Sequence, residues 1–364
     1  MTALAGPAEV IWDLTYACPL RCVHCYSESG RRPARQGKLE QMHAIADAII
    51  ALHPDGVALA GGEPLVNKNV FDVAQRLKQA GMMVVLYTSA WSFQPWMVAR
   101  ALDSFSRVAV SVDAVSAELH DRIRGRAGSY QRAMDALSLL DTAAADSIAV
   151  DCQPLPFGID SVVMRSNFDQ MESLCATMAA RFPRIRLISF NAAAPAGLAS
   201  TAGFADHELV TDEQAAALGG RTLRKRLAAL VPPSVRIDTT DNRALRMSPD
   251  LIAKGILINA MQIEPDGEVR AMPMYEGSVG NLLREPAWTL WERSVQRWRD
   301  PFLTQTLSQV KTMKDWAEAC RKIDYHYGSD AVRARIDRRP VFMGLPRSVG
   351  ARPAVAEPTA TAST

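Results

Sequence analysis

What this sequence lacks narrows its class before any motif is considered. No apolar run approaches the ~18 residues of a membrane-spanning helix, so no membrane span is expected. The opening MTALAGPAEV has neither the basic start nor the apolar core of a secretory signal. Net charge is only +2 over 364 residues, too little to argue for nucleic acid or an anionic membrane surface. The body carries no short-period repeat and no low-complexity stretch. Cysteine is scarce where a second cluster would need it: of six, three crowd into residues 18–25, and Cys320 alone lies in the last third. A cytoplasmic, reducing location is the expectation.

The remainder is ordinary globular composition, 48% hydrophobic and 22% charged. That length suits one large domain, or a medium one with an appendage. From residue 9 the chain alternates short apolar runs with helical spacing. Strands are expected at 9–16, 56–64, 82–90, 107–114, 147–155 and 184–195. Leu39, Met42, Ile45 and Ile49, then Val70, Val73 and Leu77, mark helices between them. Further helices are expected at 129–143 and 168–182. Such a series implies a mostly parallel α/β sheet, either a partial (β/α)6 TIM-type barrel or a doubly wound sheet. In both, chemistry collects at the C-terminal ends of strands. Residues 196–250 read as a linker with surface helices. A small α+β cap follows from 251 to 330, with Pro265-Asp266-Gly267 turning a hairpin. Residues 331–364 form an extension, disordered from about 349 because its Ala, Pro and Thr cannot bury enough surface.

The segment YACPLRCVHCYSES, residues 16–29, places Cys18, Cys22 and Cys25 in a C-x3-C-x2-C spacing with no fourth cysteine near. Three readings fit those cysteines: zinc with His24 as fourth ligand, a disulfide with one thiol left over, or an iron–sulfur cubane with one iron open to a small bidentate molecule. His24, between two of the cysteines, is poorly placed to complete a tetrahedron. GGEP, residues 61–64, ends the second strand, where glycines allow close backbone approach and Glu63 is an acceptor.

With these motifs in this order, the chain resembles the radical S-adenosylmethionine (SAM) superfamily over about residues 9–200. The resemblance implies one [4Fe-4S] cluster held by Cys18, Cys22 and Cys25, with SAM on the open iron. It implies SAM contacts from Gly61, Gly62 and Glu63, from Thr88 in LYTSA, and from Ser111 and Asp113 in SVDA. His24 takes the place near the adenine, and Arg124 in HDRIRGRAGSY contacts SAM or substrate. Asn167 and the PAG of 195–197 match weaker positions. The cap resembles the family's SPASM or twitch extension, with Met272 where a cluster cysteine would fall, so no auxiliary cluster is expected.

A cap without a cluster favours redox-neutral outcomes on a natural-product intermediate: decarboxylation, elimination, rearrangement or epimerisation. The alternative is maturation of a ribosomally made peptide; because strand one begins by residue 9, no built-in recognition domain is expected and a separate peptide-recognition protein would serve. A remote alternative is a non-enzymatic zinc-binding module. Cys152, at the end of the expected fifth strand, and Cys320 are candidate hydrogen donors, as are Tyr325 and Tyr327 just after Cys320; Cys175 reads as core. Expected partners are a reductant such as flavodoxin or ferredoxin and a small-molecule or peptide substrate, with no nucleic acid and no membrane.

Overall fold

The computed structural model describes residues 5–256 and 259–348. Its strands are β1 (Glu9–Asp13), β2 (Gly56–Ala60), β3 (Met83–Thr88), β4 (Arg107–Ser111), β5 (Phe157–Val163), β6 (Leu187–Ala192), β7 (Arg236–Thr240), β8 (Ala260–Ile263), β9 (Glu268–Arg270) and β10 (Ser278–Asn281). They form one sheet in the order β10-β9-β8-β1-β2-β3-β4-β5-β6-β7. From β1 to β7 every neighbour pair is parallel and follows chain order. A doubly wound sheet would reverse that order at a switch point; this one does not, which selects the partial barrel. The expected hairpin is β8–β9, and β8 also pairs in parallel with β1, so the cap continues the barrel sheet.

The helices α1 (Leu39–Ile50), α2 (Val70–Gln79), α3 (Met97–Ser104), α4 (Ala117–Arg124), α5 (Ser129–Ala149) and α6 (Met171–Arg181) lie between these strands in the chain. In α2, Val70, Val73 and Leu77 share one buried stripe. Alternate strand residues meet that apolar layer: Val10, Trp12, Leu59, Leu86, Val110 and Ile159 are fully buried. Each such side chain contributes about 1.5–3 kcal/mol by leaving water. The opposite parity faces the lumen and stays partly wet: Ala58, Ala60, Tyr87, Ser111, Asp160, Ser189 and Asn191 are half-buried. Small residues there leave the lumen open.

Two expectations are corrected. Residues 147–149 belong to α5, and β5 begins only at Phe157. Ile148 and Val150, the apolar residues that suggested a strand, are 50% and 70% exposed. Pro154 and Pro156, which cannot donate to a ladder, delay the strand until both have passed. Residues 196–250 are more than linker and helix, since β7 joins the sheet beside β6. The tail from 349 lies outside the described residues. No helix among the described residues is long and apolar enough to cross a membrane.

Candidate active site

The cysteine loop leaves β1 at the C-terminal mouth of the barrel and is held mainly by backbone. Arg21 N and Val23 N donate to the carbonyls of Arg124 and Ile123 at 3.0 Å each, so α4 pairs with the loop along its last turn. Leu198 N donates to Cys25 O at 3.0 Å. From β2, Gly62 N donates to Thr15 O at 2.6 Å and Glu63 N to Ala17 O at 2.9 Å. Gly62 is there because a Cβ would sit 2.2 Å from the Ala17 carbonyl. Gly125 is required twice over: its φ is +68°, and a Cβ would lie 2.3 Å from Arg21 O. The GG of GGEP, Gly61 and Gly62, thus approaches the cysteine loop rather than open space.

Glu63 is fully buried. Its carboxylate accepts from Thr88 Oγ1 (2.6 Å), Ser89 N (2.9 Å), Leu65 N (3.2 Å) and the Ser89 hydroxyl. Burial pushes its carboxyl up, against the Ser89 and Thr88 hydrogen bonds. Thr88 and Ser89 therefore tie the end of β3 to the turn after β2, and Thr88 reaches the loop only through Glu63.

Asp113, just past β4, is the electrostatic centre of the mouth. It is buried, pairs with Arg124 Nε at 2.6 Å, accepts from Val162 N at 2.9 Å and lies 3.4 Å from His24 Nε2. Asn167 Nδ2 donates to its backbone carbonyl at 2.8 Å, which gives that residue a structural duty. Burial alone would raise the Asp113 carboxyl; the Arg124 guanidinium and His24 hold it well below the usual carboxylate range. Ser111 ends β4, opposite Asp160 in register.

The three thiols are half-buried or deeper in this loop. Burial pushes Cys18 above its ordinary value and Cys22 up to about 11, the latter against Arg124, whose Nη1 lies 4.0 Å from its sulfur. A cationic iron group at these sulfurs would reverse that penalty, since coordination deprotonates a thiol outright. Among the described residues no three Cys, His, Asp or Glu side chains converge as a single metal ion requires. His24 turns to Asp113. Three thiols on one loop with no fourth cysteine near match a cubane that leaves one iron open, so the donor set fits that group.

The candidate hydrogen donors are placed elsewhere. Cys152 is exposed on the loop that enters β5, at the strand's N-terminal end and away from the mouth. Cys320 is buried in the helix Met313–Tyr327 beside Tyr275. Cys175 is core, and Tyr325 is 46% exposed.

Sequence reasoning missed two groups. In the lumen, Asn191 Nδ2 donates to Asp160 Oδ1 at 2.8 Å, and enclosure pushes the Asp160 carboxyl up to about 6. The two-residue alternation of β5 and β6 was the available signal. Between loop, cap and C-terminal helix lies a charge network. Glu264 pairs with Arg270 (2.8 Å) and Arg35 (2.5 Å), Glu276 with Arg270 (3.4 Å) and Arg335, and Glu28 with Arg335 (3.0 Å) and Arg339 (2.6 Å). Asp13 adds a second tie, accepting from Tyr26 at 2.6 Å and from Gln262 of β8 at 2.9 Å.

Asp324, under this network, accepts from Glu276 N at 2.9 Å, and burial pushes its carboxyl up to about 7 from 3.8. The folded chain therefore keeps a proton there that the unfolded chain releases. That stabilisation is complete below about pH 4 and is lost as pH rises through about 7. Asp324→Asn is expected to flatten this decline, measured as thermal midpoints at pH 5 and pH 8. An equal decline in both proteins would contradict the assignment.

Residues 12–147 match the Radical SAM superfamily model. The chain is 32% identical over 180 residues to the mycofactocin maturase MftC of Mycolicibacterium smegmatis, covering 49% of this chain and 43% of that one. It is 30% identical over 168 residues to an AdoMet-dependent heme synthase of Methanosarcina barkeri, covering 46% and 45%. Each match spans less than half of the relative's own length. Streptococcus suis SuiB bound to its precursor peptide SuiA shares the fold at a TM-score of 0.59, with 13% identity over 93% of this chain and 75% of that one. The segment from residue 12 to 147 is a radical SAM superfamily domain.

Proposed function

We propose that this chain is an enzyme that cleaves SAM reductively and uses the resulting radical to remove hydrogen from an organic substrate in the barrel lumen. The observation that carries the reading is the cysteine loop, pinned by β2, α4 and residue 198 at the mouth of a partly wet barrel. Cys18, Cys22 and Cys25 hold the [4Fe-4S] cluster. When bound, the cluster supplies the electron that breaks the sulfonium of SAM into methionine and a 5′-deoxyadenosyl radical.

The chain's own residues bind, orient and shield. Backbone at Gly61 and Gly62, fixed by the buried Glu63, forms one wall beside the loop. Ser111 and the Asp113–His24–Arg124 group form the opposite wall, its charges already paired so that the site need not reorganise. Asp160 and Asn191 offer the substrate an acceptor and a donor deeper in the lumen. The cap strand β8 and the Glu–Arg network close the side next to β1.

We assign the reaction to redox-neutral tailoring of a small natural-product intermediate. Only Cys320 lies in the cap segment, which leaves a second cluster without its ligands. Peptide maturation is the second reading, favoured by the likeness to MftC and to SuiB with its peptide. The test is anaerobic reconstitution with iron and sulfide, then SAM and dithionite, with 5′-deoxyadenosine measured by chromatography. Release by the native chain and only background from Cys22→Ser is the expected result. No release from a chain that has taken up its iron would overturn the reading.

A further inference from the structure

Residues 338–346, beyond the helix Asp330–Asp337, form neither helix nor strand, yet they run along the barrel mouth. Arg339 reaches back to the cysteine loop: its Nη2 pairs with Glu28 at 2.6 Å, and its Nη1 donates to Ser200 Oγ at 3.1 Å. Phe342 N donates to Ala202 O at 2.8 Å, and its ring lies 5.0 Å from that of Phe204. Gly203 is needed beneath it, since its φ is +82° and a Cβ would meet the Phe342 carbonyl at 2.2 Å. Farther on, Arg122 Nε of α4 donates to Pro346 O at 2.6 Å. Phe342 and Leu345 pack on a small apolar cluster centred on Ile123, Met164 and Phe204, and Val23 of the cysteine loop packs on the same cluster.

The tie to the cysteines runs through Glu28, three residues after Cys25, whose N–H reaches the Cys25 carbonyl at 3.4 Å. Its φ is +53°, a left-handed conformation that a residue with a Cβ keeps only where its surroundings hold it. Arg339 and Arg335 (3.0 Å) are the holders, both on its carboxylate. We propose that residues 338–346 are a strap of the active site, with Arg339 as a positioning residue that keeps the cysteine loop in ligand-ready form and shielded from water and dioxygen. The proposal rests on the reading that the cysteines hold a cluster. The strap's own hold is light, because Phe342 and Leu345 are only half-buried and no helix or strand supports them. A segment with so few buried contacts opens more often than the helices beneath it. Opening frees Glu28 and bares the apolar cluster, so loosening of the loop and entry of solvent are one event.

The experiment reads the loop without iron and with it. Before reconstitution, the full chain carrying Cys152→Ser, which removes the exposed thiol, is treated anaerobically with dithionitrobenzoate. Cys175 and Cys320 are buried, so labelling reports the loop cysteines. Arg339→Gln is expected to label about tenfold faster than this parent, with Arg339→Lys between the two. Met343→Ala, at a side chain of the same segment that is 81% exposed, should match the parent. After reconstitution, the visible absorbance of Arg339→Gln should bleach in air about tenfold faster. Hydrogen exchange on the native chain needs no variant: the Phe342 amide should exchange about a hundredfold faster than amides in the middle of the helix Met313–Tyr327. Labelling and bleaching of Arg339→Gln within twofold of the parent would overturn the proposal, as would a Phe342 amide exchanging no faster than that helix. A parent chain that takes up no iron would instead overturn the cluster reading beneath it, and labelling would still decide on the strap.

Discussion

Arg124→Met is expected to destabilise the chain by about 3–5 kcal/mol and to abolish stable cluster uptake. The guanidinium is the partner of Asp113, at 2.6 Å, in a place where the Asp113 side chain is closed to solvent and that of Arg124 is only 8% exposed. Removing it leaves a carboxylate buried and unpaired, and the loss is dominated by that stranded charge rather than by the pair's own attraction. The consequence reaches the cysteines because the same residue accepts from Arg21 N and lies 4.0 Å from the Cys22 sulfur. Asp113→Asn combined with Arg124→Met should recover much of the stability, since a neutral amide can still accept from Val162 N. Thermal unfolding and the visible absorbance of the reconstituted protein are the readouts. A single variant as stable as the native chain would show that the pair does not organise the mouth.

Gly125→Ala should cost the chain its cluster while Gly128→Ala should not. Both glycines are left-handed, at φ +68° and +84°, so alanine pays a similar backbone strain of about 1–2 kcal/mol at each. They differ in what the added methyl meets. At Gly128 nothing lies within 4 Å; at Gly125 the Arg21 carbonyl is 2.3 Å away, and it belongs to the backbone between Cys18 and Cys22. That carbonyl cannot swing aside as a flexible side chain would, so the loop must shift. The expected loss in iron retention is about 10- to 100-fold for Gly125→Ala, the range for disturbed ligand support, with near-native retention for Gly128→Ala. Equal retention by the two would mean that the close approach is irrelevant to the site.

Much of the barrel was legible because its signals are local. Each of the first four strands ends in a motif, and the helix stripes repeat at 3.6 residues. The fifth strand was misplaced because Ile148 and Val150 are apolar yet exposed at the end of a long helix, while the true strand hides behind two prolines. The seventh strand escaped because RIDTT buries only Ile237, as suits a strand at the end of the sheet order. In the site, the cysteines and Glu63, Thr88 and Asp113 could be picked out by type and place. Their partners could not. Glu63 turned out to be engaged by protein donors, and Cys152 to lie at the wrong end of its strand. The ties among Glu28, Glu276 and Arg335 join positions about 60 to 300 residues apart, which no window along the chain can reveal.

The central claim is one SAM-cleaving cluster in the cysteine loop and none in the cap. Counting iron per chain after anaerobic reconstitution, in the native protein and in Cys18→Ala/Cys22→Ala/Cys25→Ala, tests it most directly. The account predicts about four irons falling to nearly none. About eight irons in the native chain, or about four remaining in the triple variant, would contradict it.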